Sequence, residues 1–219
     1  VGNSVFITSY TDNKVVCMNW PCCDTVQRYA CVYRPRGIVH HNGRLFIACY
    51  GNPIGKIECL DASTLGALYS FTTYRPRGID VWRDFLVVTQ VSRGRLVLFD
   101  LDGNVQSSLH GLQEPRDVCV HGDIAYVANT GSDSVMAVNL VNNERFAVNT
   151  FSRPNGVATN GTTTVTTLWN TGKIVLQTNL RECTQEYSAD TPCMASLNNG
   201  KYIVCDTGAD CMYVLDVHS

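Results

Sequence analysis

The stretch that decides the fold is residues 34–38, RPRGI, which returns almost unchanged at residues 75–79. Weaker copies follow at residues 114–118 (EPRDV), 153–157 (RPNGV) and 191–195 (TPCMA). The prolines of these five anchor segments are 41, 39, 39 and 38 residues apart. A regular spacing of about 40 residues indicates a repeat architecture in which each repeat is one supersecondary unit.

Each anchor segment is followed by the sequence pattern of β-strands. A turn containing glycine leads into a short apolar run, at residues 45–48 (LFIA), 85–88 (FLVV), 124–127 (IAYV) and 202–205 (YIVC). Short runs rich in β-branched and aromatic residues are typical of strands buried on both faces. An alternating strand follows, as in residues 95–100 (RLVLFD), and Asp102-Gly103 is a strong hairpin signal after it. Since no stretch keeps a helical period over three turns, we predict an all-β protein.

Four-stranded repeats of this length predict a β-propeller. Six strand pairs can be counted, and they begin near Val5, Leu45, Phe85, Ile124, Thr164 and Tyr202. We therefore predict one propeller domain over residues 1–219 with six blades, near residues 1–33, 34–74, 75–113, 114–152, 153–190 and 191–219. The 219 residues are about half a blade short of six full repeats, so the first and last blades are expected to be incomplete.

The repeat resembles that of the NHL family of β-propellers. The resemblance lies in the Pro-Arg-Gly-Ile unit of residues 35–38 and 76–79, the apolar strand after it, and the later strand that ends in Asp100. WD40 propellers are less similar, because no Gly-His and Trp-Asp pair recurs. The resemblance implies that RNA is one class of ligand, and that lyases and lactonases with a catalytic channel are structural relatives.

The anchor arginines are the candidate binding residues. The first strand of a propeller blade begins beside the central channel, so arginines of different blades are expected to gather at one mouth. They are Arg34, Arg36, Arg75, Arg77, Arg116 and Arg153. Such a group would bind a phosphate, a carboxylate or a partner surface.

A structural role is the alternative for these arginines. They would then pair with carboxylates of a neighbouring blade, such as Glu114, Asp80, Asp84 or Asp117. The chain has 17 Lys and Arg against 19 Asp and Glu, and its net charge of −2 disfavours general binding to nucleic acid. Exposed aromatic residues interleaved with the arginines, which single-stranded RNA would require, are not evident in the sequence.

Catalytic signatures are weak. The five histidines, His40, His41, His110, His121 and His218, show no metal-binding spacing. No nucleophile elbow and no phosphate-binding or dinucleotide-binding glycine pattern is present. Polar residues in equivalent turns are assigned to turn chemistry rather than to calcium: Asp12, Asn13, Asn129, Asp133 and Asp210. We expect no catalytic residues, no metal and no cofactor.

Eleven cysteines are unusual for a cytosolic chain of this length. The disulfide candidates are Cys17, Cys22, Cys23, Cys31, Cys183, Cys193, Cys205 and Cys211. Cys205 and Cys211 flank one turn, and Cys183 and Cys193 bracket a polar connection. The three cysteines inside apolar strands, Cys49, Cys59 and Cys119, are expected to be reduced core residues. Asn160 begins the only sequon of the chain, a candidate glycosylation site.

These features together predict a non-catalytic propeller that acts as a binding or assembly module. Its partner is expected to be a protein or further copies of the chain, with strand addition at the incomplete blades and a filament as one outcome. Disulfides and a glycan favour an extracellular or secreted location, with the cytoplasm as the alternative. RNA binding through the arginines is the second functional hypothesis, and a channel-located lyase or hydrolase is the third. Apolar runs of four or five residues predict no membrane span.

Overall fold

A computed structural model describes residues 4–19, 26–178, 182–186, 192–196, 201–206 and 211–216. The chain divides into two compact units, residues 1–110 and 111–219. Within the described residues every regular element is a β-strand, except for single 3₁₀ turns at Val91–Arg93 and Thr130–Ser132. The prediction of an all-β protein is therefore confirmed.

The first unit contains three antiparallel sheets. The first is β1 (Ser4–Ser9), β2 (Lys14–Asn19) and β3 (Val26–Cys31). The second is β4 (Pro35–His41), β5 (Arg44–Cys49), β6 (Ile54–Asp61) and β7 (Ala67–Tyr74). The third is β8 (Pro76–Trp82), β9 (Phe85–Gln90), β10 (Arg95–Asp100) and β11 (Val105–His110). In each sheet the strands pair in chain order, so each sheet is a meander of hairpins.

The second unit also contains three antiparallel sheets. The first is β12 (Pro115–His121), β13 (Ile124–Asn129), β14 (Ser134–Asn139) and β15 (Arg145–Thr150). The second is β16 (Pro154–Thr159), β17 (Thr163–Leu168), β18 (Lys173–Thr178) and β19 (Glu182–Glu186). The third is β20 (Pro192–Ser196), β21 (Lys201–Asp206) and β22 (Cys211–Asp216).

The anchor prolines mark the start of a blade. Five sheets open with a strand whose first residue is an anchor proline: Pro35, Pro76, Pro115, Pro154 and Pro192. Among the described residues, the sheet β1–β3 has three strands and no anchored first strand. The structure therefore corrects the prediction of six blades to five anchored blades, and the last of these, β20–β22, has three strands among the described residues.

The second strand β5 is buried on both faces along residues 45–49, as its uninterrupted apolar sequence predicts. In β5, Leu45 and Ile47 pack into one core cluster with Val15 and Cys17 of the first sheet. Phe46, between them, packs into a separate cluster on the opposite face, toward the third sheet. Successive side chains of a strand point to opposite faces, so a fully apolar run supplies both cores at once.

The turn between β6 and β7 is closed by Asp61, and it makes stability depend on pH. Its carboxylate accepts hydrogen bonds from the Ser63 hydroxyl (2.5 Å), the Ser63 amide (2.9 Å) and the Thr64 amide (2.8 Å). The Ser63 hydroxyl, with the Thr64 amide next, lowers the pKa of Asp61 to about 2. These bonds favour the ionised form over the protonated one.

We expect Asp61 to stabilise the fold above its unfolded pKa of about 3.9 and to lose that contribution as the pH falls through about 2. Urea unfolding between pH 6 and pH 2 measures this, and Asp61→Asn should flatten part of the decline in the unfolding midpoint. Comparison with the variant is needed because Asp100 also has a lowered pKa, caused mainly by Asn104. A variant whose pH dependence equals that of the unchanged protein would contradict the assignment.

Candidate binding surface

The residue before four of the anchor prolines has a left-handed backbone. The φ angles are 47° at Arg34, 35° at Arg75, 46° at Glu114 and 49° at Arg153. A proline disfavours the right-handed helical region for the residue before it, and a positive φ in a residue other than glycine is uncommon. Because it occurs at the same position of four repeats, this left-handed residue is a regular part of the blade structure.

Turn residues hold the anchor segments in place. Asn13 accepts a hydrogen bond from the Arg34 amide through Oδ1 at 2.7 Å, and Asp133 accepts one from the Arg153 amide at the same distance. Asn129 accepts from the Gln113 amide at 2.7 Å. The prediction of turn chemistry is confirmed for these three residues and for Asp12, which accepts from the Ser9 hydroxyl; Asp210 lies outside the described residues.

Arg36 lies between two tyrosines. Its guanidinium carbon is 3.7 Å from the centroid of the Tyr10 ring and 5.9 Å from that of Tyr50. Tyr10 directly follows β1, and Tyr50 directly follows β5. The same position in two neighbouring sheets therefore supplies an aromatic ring to the arginine of β4, at distances typical of cation–π contact.

The neighbouring anchor arginines extend this contact in both directions. Arg34 lies 5.3 Å from the Tyr33 ring and 6.0 Å from the Tyr10 ring. Arg75 lies 5.3 Å from the Tyr50 ring, and its Nη2 donates a hydrogen bond to the Tyr50 hydroxyl. We call these alternating side chains the arginine–tyrosine row. Its members are Tyr33, Arg34, Tyr10, Arg36, Tyr50 and Arg75.

The row is accessible to a ligand. Tyr33 is 61% exposed, and its other members are half-buried. Half-buried cations and rings keep part of their surface available while their packing restricts side-chain motion. This combination lowers the entropic cost of binding.

The second unit repeats the pairing with one tryptophan. Arg116 lies 3.5 Å from the ring centroid of Trp169, and its Nη1 is 3.4 Å from Asn155 Oδ1. Arg153 lies 5.9 Å from the same ring. Trp169 directly follows β17, the position that Tyr10 and Tyr50 occupy in their own sheets. Of the remaining predicted residues, Arg77 is half-buried in β8.

The carboxylate alternative does not account for the row. Among the described residues, Arg34, Arg36 and Arg75 form no salt bridge with a carboxylate. Asp84 pairs instead with His41 at 3.2 Å, and Asp117 accepts a hydrogen bond from the Val157 amide. The expectation that aromatic residues are not interleaved with the arginines is wrong.

The missed signal is present in the sequence. Tyr50 and Trp169 each stand directly after the second strand of an anchored blade, and Tyr10 stands directly after β1, which has no anchored strand before it. Aligning the repeats at that position, and not at the anchors alone, reveals three aromatic residues at one structural position.

Two disulfide candidates are corrected by the structure. Cys17 is a buried free thiol whose Sγ lies 3.8 Å from Gln27 Oε1, and Cys31 is an exposed free thiol. Cys17 lies opposite Arg28 in the β2–β3 register and packs in the apolar core, so its place in the strand explains its burial without a bridge. Cys22 and Cys23 lie outside the described residues.

The backbone register shows which residues lie opposite the cysteines of the last two sheets. Cys205 lies opposite Met212 and not opposite Cys211, which contradicts the expected facing pair across that hairpin. In the neighbouring pair of strands, Cys193 lies directly opposite Cys205. Cys183 lies in β19, opposite Leu176.

The three strand cysteines are reduced and buried, as predicted. Cys49, Cys59 and Cys119 form no disulfide and are between 1% and 9% exposed. Burial, with the nearby Glu58 carboxylate, raises the pKa of Cys49 to about 12. This thiol is therefore protonated at neutral pH and is a poor nucleophile.

The sequon lies in the turn between β16 and β17. Asn160 is half-exposed, and its Oδ1 accepts hydrogen bonds from the Thr162 amide (3.0 Å) and the Thr163 amide (2.8 Å). Glycosylation at Asn160 stays a prediction.

The metal-ligating side chains of the described residues do not form a cluster. In the part of the chain that the structure describes, no three His, Cys, Asp or Glu side chains are grouped as a metal site. The His41 contact is with Asp84, and burial lowers the pKa of His40. His218 lies outside the described residues. Among the described residues there is no helix of the length and hydropathy needed to cross a membrane.

Comparison with known proteins shows the fold. No family model and no curated protein sequence matches the chain. The structure is similar to virginiamycin B lyase from Staphylococcus aureus (TM-score 0.67, 10% identity, covering 100% of this chain and 83% of that chain). It is similar to Kuenenia stuttgartiensis hydrazine synthase (TM-score 0.74, 12% identity, 99% and 81%) and to a chain of a nidogen/laminin complex (TM-score 0.70, 18% identity, 85% and 77%). At these identities the likeness shows the β-propeller fold alone.

Proposed function

We propose that this chain is a non-catalytic, NHL-like β-propeller module that binds a protein partner through the arginine–tyrosine row. The observation that carries the proposal is the alternation of three arginines and three tyrosines, each arginine within about 6 Å of a ring. Arginine and tyrosine are enriched at the energetic centres of protein interfaces, and charged residues other than arginine are depleted there.

The stacking prepares the row for binding. A guanidinium held against a ring keeps its N–H groups in a fixed plane, so less conformational freedom is lost when those groups donate to a partner. Of the three arginines of the row, Arg36 has the shortest distance to a ring centroid, with rings at 3.7 and 5.9 Å. We therefore assign Arg36 the largest contribution to partner affinity.

Assembly through sheet edges is part of the same proposal. Among the described strands, β1 has β2 as its one hydrogen-bonded neighbour, and β22 has β21. An edge strand offers unpaired backbone groups that a strand of another chain can use. The partner is then a protein segment or a further copy of this chain, and an extracellular setting suits such a module.

RNA binding is the second candidate function, and the interleaved tyrosines favour it. Base stacking on aromatic side chains, with arginines along the backbone, is the general mode of single-strand recognition. The net charge of −2 weighs against it. A channel-located lyase or hydrolase has the support of fold likeness alone.

Site-specific photo-crosslinking tests the proposed function. We expect a benzoylphenylalanine at Tyr33 to form protein adducts in the native extract, and at least about fivefold more of them than one at Leu68, which is 51% exposed on β7. In the protein that carries the crosslinker at position 33, Arg36→Ala should reduce the yield of adducts to the yield measured with the crosslinker at position 68. Equal yields at the two positions would exclude the row as a protein-binding surface, and adducts removed by ribonuclease would establish the RNA alternative.

A further inference from the structure

A groove in the first unit, lined by residues that do not belong to the arginine–tyrosine row, has the features of a binding site. A cavity of about 230 Å³ lies between the sheets β4–β7 and β8–β11. Its lining includes the apolar side chains of Ile54 and Val105, which are 48% and 62% exposed. Polar side chains line it as well, and they are organised around Gln90.

Gln90 organises the floor of the groove. It is 2% exposed, and its Nε2 donates a hydrogen bond to Thr73 Oγ1 at 2.7 Å. Its Oε1 accepts one from Arg95 Nε at 2.8 Å. A buried amide with both ends bonded has a fixed orientation, so it fixes the plane of the Arg95 guanidinium.

The remaining donors of Arg95 are available to a ligand. Among the described residues, the bond to Gln90 is the one hydrogen bond of the Arg95 side chain. Its two terminal nitrogens therefore have no protein acceptor there. A half-buried guanidinium whose donors lack acceptors pays a desolvation cost that an anionic ligand would offset.

A second arginine adds positive charge at the same place. Arg93 is exposed and lies 3.3 Å from the ring centroid of Tyr74, another lining residue. Burial, followed by the charge of Arg93, lowers the pKa of Arg95, which indicates that the two cations act on each other. The residues that line the groove include no carboxylate.

We propose that this groove binds an acidic peptide segment, with a carboxylate side chain on Arg95 and Arg93 and a neighbouring apolar side chain on Ile54 and Val105. The planar guanidinium fork matches a carboxylate in two parallel hydrogen bonds. A peptide fits better than a nucleic-acid strand because the exposed rim is apolar and offers a phosphodiester backbone no further cation. This site uses residues outside the row and goes beyond the proposed function.

Fluorescence anisotropy with matched peptides tests the site. The probes are a labelled, end-capped octapeptide of alternating valine and glutamate and the same peptide with glutamine in place of glutamate. We expect the glutamate peptide to bind at least about tenfold more tightly, since an ionised carboxylate accepts stronger hydrogen bonds from a guanidinium than a neutral amide does. Arg95→Gln should remove most of that preference, and Arg93→Gln should remove a smaller part.

Arg83→Asn is the matched control, because it removes one arginine of the same unit outside the groove, and asparagine tolerates the φ of 56° at this position. It should keep the tenfold preference. Thermal unfolding checks that the Arg95→Gln variant is folded. If it is not folded, the proposal is tested by the affinities of the two peptides for the unchanged protein and for the Arg93→Gln variant, in which the replaced residue is exposed. Equal affinity for the two peptides, or no binding of either, overturns the proposal. Displacement of the peptide by oligouridylate that depends on Arg95 also overturns it, in favour of nucleic acid.

Discussion

Phe46→Ala is expected to lower the free energy of unfolding by about 3–5 kcal/mol. Phe46 is fully buried in β5 and packs among Ile57, Leu86 and Phe99 in the core between the second and third sheets. Truncation removes the transfer energy of the ring and leaves a cavity between two sheets whose backbones are held by their own ladders. The surrounding side chains can collapse into that space only partly.

Urea unfolding monitored by circular dichroism measures this loss. Phe146→Ala is the control, because Phe146 lies on β15 and is 56% exposed, and the same truncation there should change stability by no more than about 0.5 kcal/mol. Equal losses for the two variants would show that Phe46 does not hold the two sheets together. The groove that contains Arg95 lies between the same sheets, so Phe46→Ala should also weaken the glutamate preference of the peptide assay.

The strands could be predicted from the sequence because their signals are local. The apolar run of β5 follows directly from burial on both faces. The alternation expected for β10 is wrong, because residues 96–99 are all buried. The prolines at Pro35 and Pro76 mark where a first strand begins, since a proline fixes φ and lacks a ladder donor. The number of anchored blades was overestimated because strand pairs were counted, and the pair β1–β2 has no anchored strand before it.

The partners of the anchor arginines could not be predicted because they depend on contacts between blades. Arg36 stacks on Tyr10 of the preceding sheet, a pairing that nothing within its own repeat specifies. A carboxylate and an aromatic ring both attract a guanidinium. Only the packing between blades determines which of the two lies next to the arginine. In the same way, Arg95 is the first residue of β10 and has the sequence signature of an exposed residue. It is half-buried in the groove, where it donates a hydrogen bond to Gln90, which in turn donates one to Thr73.

The anchor glycine shows how the fold positions the row, and its replacement tests this directly. A Cβ built on Gly37 would lie 2.7 Å from the Arg77 carbonyl oxygen and 3.0 Å from the Ile79 amide nitrogen, both in β8. These are backbone atoms, so no side-chain rotation can relieve the contact. The first strands β4 and β8 approach this closely because Gly37 has no side chain.

Gly37→Ala is therefore expected to destabilise the protein by about 1–3 kcal/mol, the range for overpacking a well-packed site. The reduced entropy of the unfolded chain would return only about 0.4–1 kcal/mol. Gly66→Ala is the matched control, because Gly66 is exposed and a Cβ there would meet nothing closer than Thr64 Oγ1 at 3.2 Å. The free energy of unfolding of the Gly66→Ala protein should change by less than about 0.5 kcal/mol. Because Arg36 precedes Gly37 in β4, a shift of this strand should also displace Arg36 from the Tyr10 ring and lower the crosslinking yield at Tyr33. A Gly37→Ala protein as stable as the Gly66→Ala protein would mean that β4 and β8 can separate freely, and the row would then not be held by the packing of the first strands.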